Sequence, residues 1–261
     1  KPETSEQISE LMELATAANV PVTARGSGSG MCGAAVPPEG GIVVSFERMN
    51  KILEIDEINH VAVVQPGVTL REIEQKTAEL GLTYPVYPGE MSATIGGNIA
   101  TNAGGMQAVR YGVTRENVLG LQAVLATGEI IRSGGAIVKT SSGYDLTQLI
   151  IGSEGTLALV TEATLRLRTR LPVRATLLAP FDDLDAVTRA VPGILAAGLQ
   201  PTLLEYVDQL SMAAIAYNSG IELGIPDDVR ETAQAYLIVR LEQRDADRSE
   251  HHRGDAVHPR N

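Results

Sequence analysis

The chain has a single cysteine, Cys32, among 261 residues. One thiol cannot close an intrachain disulfide, and such usage fits a reducing compartment. No apolar run approaches the ~20 residues that a membrane-spanning helix requires. No signal peptide opens the chain. An initiating methionine is also missing, and the first residues already read as a helix start. That implies a removed N-terminus or a start within a longer protein. Basic residues are scattered, 21 Lys and Arg against 32 Asp and Glu, for a net charge of −11. No basic stripe tracks a phosphate backbone, so nucleic acid is not the expected partner. Of four histidines, only His60 lies outside the 243–261 tail. It starts an expected strand and reads as structural.

What is present is a globular composition. Apolar residues make up 44% of the chain, enough for one large core or two smaller ones. Thr4 and Gln7 form a capping-box pattern ahead of helical spacing at Ile8, Leu11, Met12, Ala15 and Ala18. Thr69 and Glu72 repeat it ahead of Leu70, Ile73, Thr77 and Leu80, and Gly81 ends that helix. Strands are expected at 20–24, 41–46, 60–65, 117–126, 129–133 and 156–168. After Leu171-Pro172 a strand–helix–strand rhythm begins. It predicts strands at 173–179, 201–205 and 235–241, and a helix over 208–217. A helix capped by Asp182 should run to Leu195, kinked or split at Pro192. From Gln243 the sequence is charged and aperiodic, and reads as a disordered or non-native tail.

Twelve of the 26 glycines fall in two windows, 26–41 and 89–112. Glycine lets backbone N–H groups converge on an anion because no Cβ blocks the approach. Arg25-Gly26-Ser27-Gly28-Ser29-Gly30 follows an expected strand. Pro88-Gly89, Ser92-Ala93-Thr94, Gly96-Gly97-Asn98 and Thr101-Asn102-Ala103-Gly104-Gly105 add a second set of small and hydroxyl residues. Two separated cradles suit a long diphosphate ligand. No Gly-Lys-Ser/Thr ends either window, so a Walker loop is excluded. Pro37 and Pro38 make a helix directly after Gly30 improbable, which argues against a Rossmann turn. An isolated Gly-x-Gly-x-Gly is equally at home in a plain turn; the second window makes the case.

These motifs, with Arg110-Tyr111-Gly112, Asn117-Val118-Leu119-Gly120 and Ile151-Gly152-Ser153-Glu154-Gly155-Thr156-Leu157, resemble the vanillyl-alcohol-oxidase (PCMH-type) FAD-binding superfamily. Their order is similar to the branch of the glycolate oxidase flavin subunit, D-lactate dehydrogenase and 2-hydroxyglutarate dehydrogenase. The resemblance implies an α+β fold. Two subdomains, truncated at the N-terminus, would hold FAD between them over residues 1–171. The start of a ferredoxin-like cap domain would occupy 172–242. It implies that Arg25 to Gly30 meets the pyrophosphate and that 88–105 meets the pyrophosphate and flavin ring. Tyr111 and Gly112 would also face the cofactor. Glu154 and Gly155 would lie near the adenosine or ring, and Val160 and Thr161 on the strand beside them.

Family members with covalent flavin often carry a histidine where Ser29 stands, so FAD is expected to bind noncovalently. Cys32 reads as a buried, inert thiol. The tail reads His251-His252-Arg253-Gly254-Asp255-Ala256-Val257-His258. It departs from the family's metal-linked motif, so no native metal site is expected. The implied substrate is a small 2-hydroxy acid. The base and the carboxylate-binding cation would come from the cap, so the flavin portion alone is not expected to complete turnover. The implied setting is cytoplasmic, with partner subunits of a glycolate-oxidase-like complex and membrane association only through them. Two alternatives stay open: a non-catalytic FAD-binding subunit acting through partners, and an oxidase of sugars or aromatic alcohols.

Overall fold

The computed structural model describes residues 1–220 and 222–244. The tail motif at 251–258 lies outside them. The chain divides into two compact units, Lys1–Arg170 and one beginning at Leu171.

The first unit begins with α1 (Ser5–Ala17), whose Thr4 side chain accepts from the Gln7 N–H. Strand β1 (Val22–Arg25) pairs in parallel with β2 (Ile42–Ser45), bringing Arg25 beside Ser45. The long link between them, 26–41, contains no helix or strand. Strands β3 (Ile52–Asp56) and β4 (Val61–Val64) form a hairpin, and His60 turns into β4 with φ +54°. Helix α2 (Leu70–Glu79) follows, then β5 (Leu82–Thr83), α3 (Ile95–Thr101) and α4 (Ala108–Tyr111). Strands β6 (Val118–Leu125) and β7 (Ile130–Gly134), helix α5 (Leu146–Ile150), and strands β8 (Ala158–Arg166) and β9 (Arg168–Thr169) complete the unit.

Five strands form one antiparallel sheet in the order β3-β4-β8-β6-β7. Its central strand β8 is buried almost throughout because both faces are covered. One core packs Ala62, Val64, Ala163 and Leu165 against Ile73 of α2 and Ile95 and Ile99 of α3. A second joins Ile8 of α1 to Val44, Phe46, Val124 and Leu159. This second core fixes the β1–β2 pair.

The second unit runs β10 (Val173–Phe181), α6 (Leu184–Ala196), β11 (Leu203–Asp208), α7 (Gln209–Ser219), α8 (Asp227–Thr232) and β12 (Ala235–Gln243). Strand β12 lies between β10 and β11, antiparallel to both. Here the sequence expectations need two corrections. Asp183, not Asp182, caps α6, accepting from the Ala186 N–H at 2.6 Å. The helix also runs unbroken through Pro192. Its stripe of Val187, Val191 and Ile194 packs on Leu237 and Val239 of β12, and that packing outweighs the missing N–H.

No helix among the described residues is long and apolar enough to cross a membrane. The capping box at α2 is complete: the Thr69 N–H donates to Glu72 at 2.8 Å and Thr69 Oγ1 accepts from the Glu72 N–H at 3.2 Å. Thr69→Ala should therefore lower stability by about 1 kcal/mol. Urea denaturation of the pair checks this, with an unchanged slope and a lower midpoint expected.

Candidate functional site

The carboxyl ends of β1 and β2 open onto a cleft of about 480 Å³ within the first unit. One wall is the 26–35 loop. It cannot become helical, given its glycines and the prolines beyond. Arg25 is not in the lining; its Nη2 donates to the Ser27 carbonyl at 3.4 Å, beside Gly28 of the loop. Among the described residues, no main-chain N–H from Ser27 to Ala35 donates to a protein acceptor. Exposed donors of that kind, next to one another, form an anion-binding concavity.

The opposite wall is α3, which sequence reading missed. Gly96 and Gly97 were expected in a second loop of converging N–H groups. They lie instead in the first turn of a helix capped by Thr94. Their amides are already used: Gly96 donates to the Pro66 carbonyl at 2.8 Å and Gly97 to Thr94 Oγ1 at 3.3 Å. At these two positions the second window supplies shape rather than amides. A Cβ on Gly96 would lie 2.6 Å from Pro66 Cβ, so this glycine serves close packing. A Cβ on Gly97 would meet only Thr94 Oγ1, at 3.2 Å, beside the cleft. Asn98 contributes a donor without a partner: the residue is 3% exposed, and its Nδ2 bonds nothing.

The floor is apolar. Phe46, Ile150, Ala158, Leu159 and Val160 line it, backed by β8. Glu154 joins the lining with φ +53°, its N–H held by the Ala100 carbonyl at 2.8 Å. Glu90 lies in the lining as well. The Ser92 N–H, 2.7 Å from its Oε1, holds its carboxyl below the ordinary carboxylate range.

The cleft brings together most of the expected residues: Gly26, Ser27, Gly28, Ser29, Gly30, Pro88, Ala93, Thr94, Gly96, Gly97, Asn98, Thr101, Asn102, Gly104, Glu154, Gly155 and Val160. Arg25, Gly89, Ser92, Gly105, Tyr111 and Gly112 are not in its lining. Tyr111 lies under the Arg110 guanidinium, 5.5 Å from its ring centre, and its carbonyl accepts from Asn117 Nδ2 at 2.9 Å. Gly112 ends α4 with φ +73°. Gly105 packs on the chain itself, where a Cβ would come within 1.8 Å of the Tyr87 carbonyl oxygen.

Cys32 departs from expectation. It is exposed and lines the cleft, because the loop that carries it packs no apolar side chain over it. Phe46, Pro66, Ile150 and Leu159 were missed in the lining. The signal for Phe46 was its position just past the end of β2, where parallel neighbours deliver their next residue to the same edge.

Free amides, an orphaned amide donor and a glycine facing the cavity fit a phosphate-bearing cofactor. Comparison with known families names it. Residues 1–134 match the FAD binding domain model, and residues 170–258 match the C-terminal domain of FAD linked oxidases. The chain belongs to the FAD-linked oxidase family. Its cofactor is FAD. The chain is 61% identical over 248 residues to an FAD-linked oxidoreductase of Mycobacterium tuberculosis, covering 95% of this chain and 54% of that one. It is 42% identical over 265 residues to the glycolate oxidase subunit of Bacillus subtilis, covering 98% and 55%. The chain thus spans about half the length of the curated relatives it matches. Among solved structures, an alkyldihydroxyacetonephosphate synthase superposes with a TM-score of 0.75 at 23% identity, over 93% of this chain and 46% of that one. That likeness speaks to the fold, which is the PCMH type of FAD-binding fold.

Two glycine substitutions separate shape from scaffold. Gly97→Val should leave the thermal transition close to wild type and reduce FAD affinity by roughly ten-fold or more, since the branched side chain fills ligand space. Gly105→Val should lower thermal stability first, because backbone must move. Calorimetry and flavin-fluorescence titration of both variants decide this. Wild-type FAD affinity in Gly97→Val would contradict the assigned wall.

Proposed function

We propose that this chain is the flavin-binding part of an oxidoreductase acting on small 2-hydroxy acids of the glycolate or D-lactate class. The observation that carries the reading is 42% identity with a glycolate oxidase subunit across 98% of the chain. The cleft geometry supports it. In this reading the Ser27–Ala35 amides hold the diphosphate, with Asn98 Nδ2 as an additional donor. Phe46, Ile150, Leu159 and Val160 give an apolar floor for an aromatic ring, excluding water from one face. Glu154 and Gly155 lie along the same ligand.

When bound, FAD supplies a two-electron acceptor for the carbon-bound hydrogen of the substrate. This chain's own contribution is to bind and orient that acceptor. Among the described residues, the cleft lining holds no histidine to take the hydroxyl proton and no cation to hold the substrate carboxylate. We assign both roles to residues outside the cleft lining. His60 sits in a turn next to Asp56 and is not in that lining. Partner subunits of a glycolate-oxidase-like complex, in the cytoplasm, belong to the same proposal.

The flavin should be noncovalent, because Ser29 stands in the glycine loop without a histidine near it. Acid precipitation of the yellow protein should therefore release the colour to the supernatant. Colour retained in the pellet would refute the noncovalent bond. Residues 1–261 alone should leave the flavin oxidised on anaerobic mixing with glycolate, D-lactate or D-2-hydroxyglutarate, whereas the flavoprotein together with the cap residues that supply base and cation should be bleached by at least one of them. If sugars or aromatic alcohols bleach it and none of these acids does, the substrate class is wrong.

A further inference from the structure

Cys32 carries the chain's single thiol. It is exposed, and it belongs to the lining of the cleft. The positions around it are equally unpacked. Met31 is wholly exposed. A Cβ on Gly30 or Gly33 would meet no atom within 4 Å. A reagent therefore reaches this stretch without moving packed protein. Among the described residues, no main-chain N–H from Ser27 to Ala35 donates to a protein acceptor, so Cys32 stands within a run of unused donors. Asn98 marks the same cavity independently. It is 3% exposed and in the lining, and its Nδ2 has no hydrogen-bond partner. A buried donor left without a partner points to a ligand that satisfies it. The thiol thus lies in a ligand site, and no side chain packed over it keeps it inert.

We propose that Cys32 is a modification site inside the cofactor cleft: in the free protein it forms a mixed disulfide with a low-molecular-weight disulfide, the adduct excludes FAD, and bound FAD shields the thiol. The proposal rests on the reading of this cleft as the FAD site and adds a redox control to it. The step is thiol–disulfide exchange. The Cys32 sulfur, as thiolate, attacks one sulfur of the small disulfide; a new S–S bond forms and the old one breaks. The departing half leaves as a thiolate and takes up a proton in place of the one Cys32 lost. Cys32 is oxidised, the departing sulfur is reduced, and no other electron acceptor is needed. The chain has no second cysteine to resolve the adduct, so an external thiol must reverse it. Exclusion is mutual because both occupants need one space. An adduct of glutathionyl size, tethered to the 26–35 wall, fills volume in a cleft of about 480 Å³. A ligand that takes the N–H groups on either side of Cys32 covers that stretch in turn, whichever of its parts lies there.

The test follows thiol reactivity and FAD uptake in the same protein. Treated with the aromatic disulfide dithiobis-nitrobenzoate, the FAD-free chain should release one equivalent of coloured thiolate, since it has one cysteine. FAD at about ten times its Kd should slow that release by roughly ten-fold, because the unliganded fraction alone reacts. Incubation with oxidised glutathione should add one glutathionyl group, read by mass, and abolish FAD uptake, read by flavin fluorescence. Dithiothreitol should restore the uptake. Cys32→Ser should take up FAD equally with and without oxidised glutathione, which ties the loss to this sulfur. An unchanged release rate in protein shown by fluorescence to hold FAD would overturn the proposal and leave the cofactor reading standing. So would a chain that gains no glutathionyl group, or that binds FAD as before once it carries one. Untreated protein that takes up no FAD would overturn the reading of the cleft and the proposal with it.

Discussion

A Cβ on Gly26 would lie 2.2 Å from the Thr94 hydroxyl oxygen and 3.7 Å from the Gly97 nitrogen. Only glycine lets the end of β1 and the start of α3 approach this closely. That approach makes the cleft. It places the free amides of the first loop opposite α3 and leaves Asn98 between them. Gly67 and Gly96 extend the same constraint. A Cβ on Gly67 would lie 2.3 Å from the Phe46 carbonyl oxygen, so the turn after β4 lies against the segment that follows β2 without room for a side chain.

The five-stranded sheet supports this arrangement from below. Leu159 faces the core beneath α1, while Val160 packs with Ile95 and Ile99 of α3. One strand therefore serves both cores and floors the cleft. The apolar floor and neutral wall suit a ligand with an aromatic body and a diphosphate middle. The proposed binding by main-chain amides fits a protein with a net charge of −11.

Much of this was legible in the sequence, because the signals were local. Thr4 and Thr69 announce their helices through side-chain caps, and each cap is formed. The glycine loop after β1 was legible because glycines followed by prolines leave no alternative. What escaped depends on tertiary context. Helix α3 begins Ile-Gly-Gly, a poor helix former, and exists because Thr94 caps it and Ile95 and Ile99 are wholly buried. Pro192 was expected to break α6, and packing on β12 keeps it whole. Gly105 looked like a cofactor contact, although what it touches is the Tyr87 carbonyl. A single sequence cannot show whether a glycine makes room for a ligand or for the chain itself.

The central claim is that the main-chain amides from Ser27 to Ala35 are free until FAD takes them. Hydrogen–deuterium exchange of this segment, with and without FAD, tests it most directly. The account predicts fast exchange in the free protein and marked protection on FAD binding, while the amides of Gly96 and Gly97, already bonded within the protein, change little. FAD binding that leaves 27–35 exchanging as fast as before would contradict it.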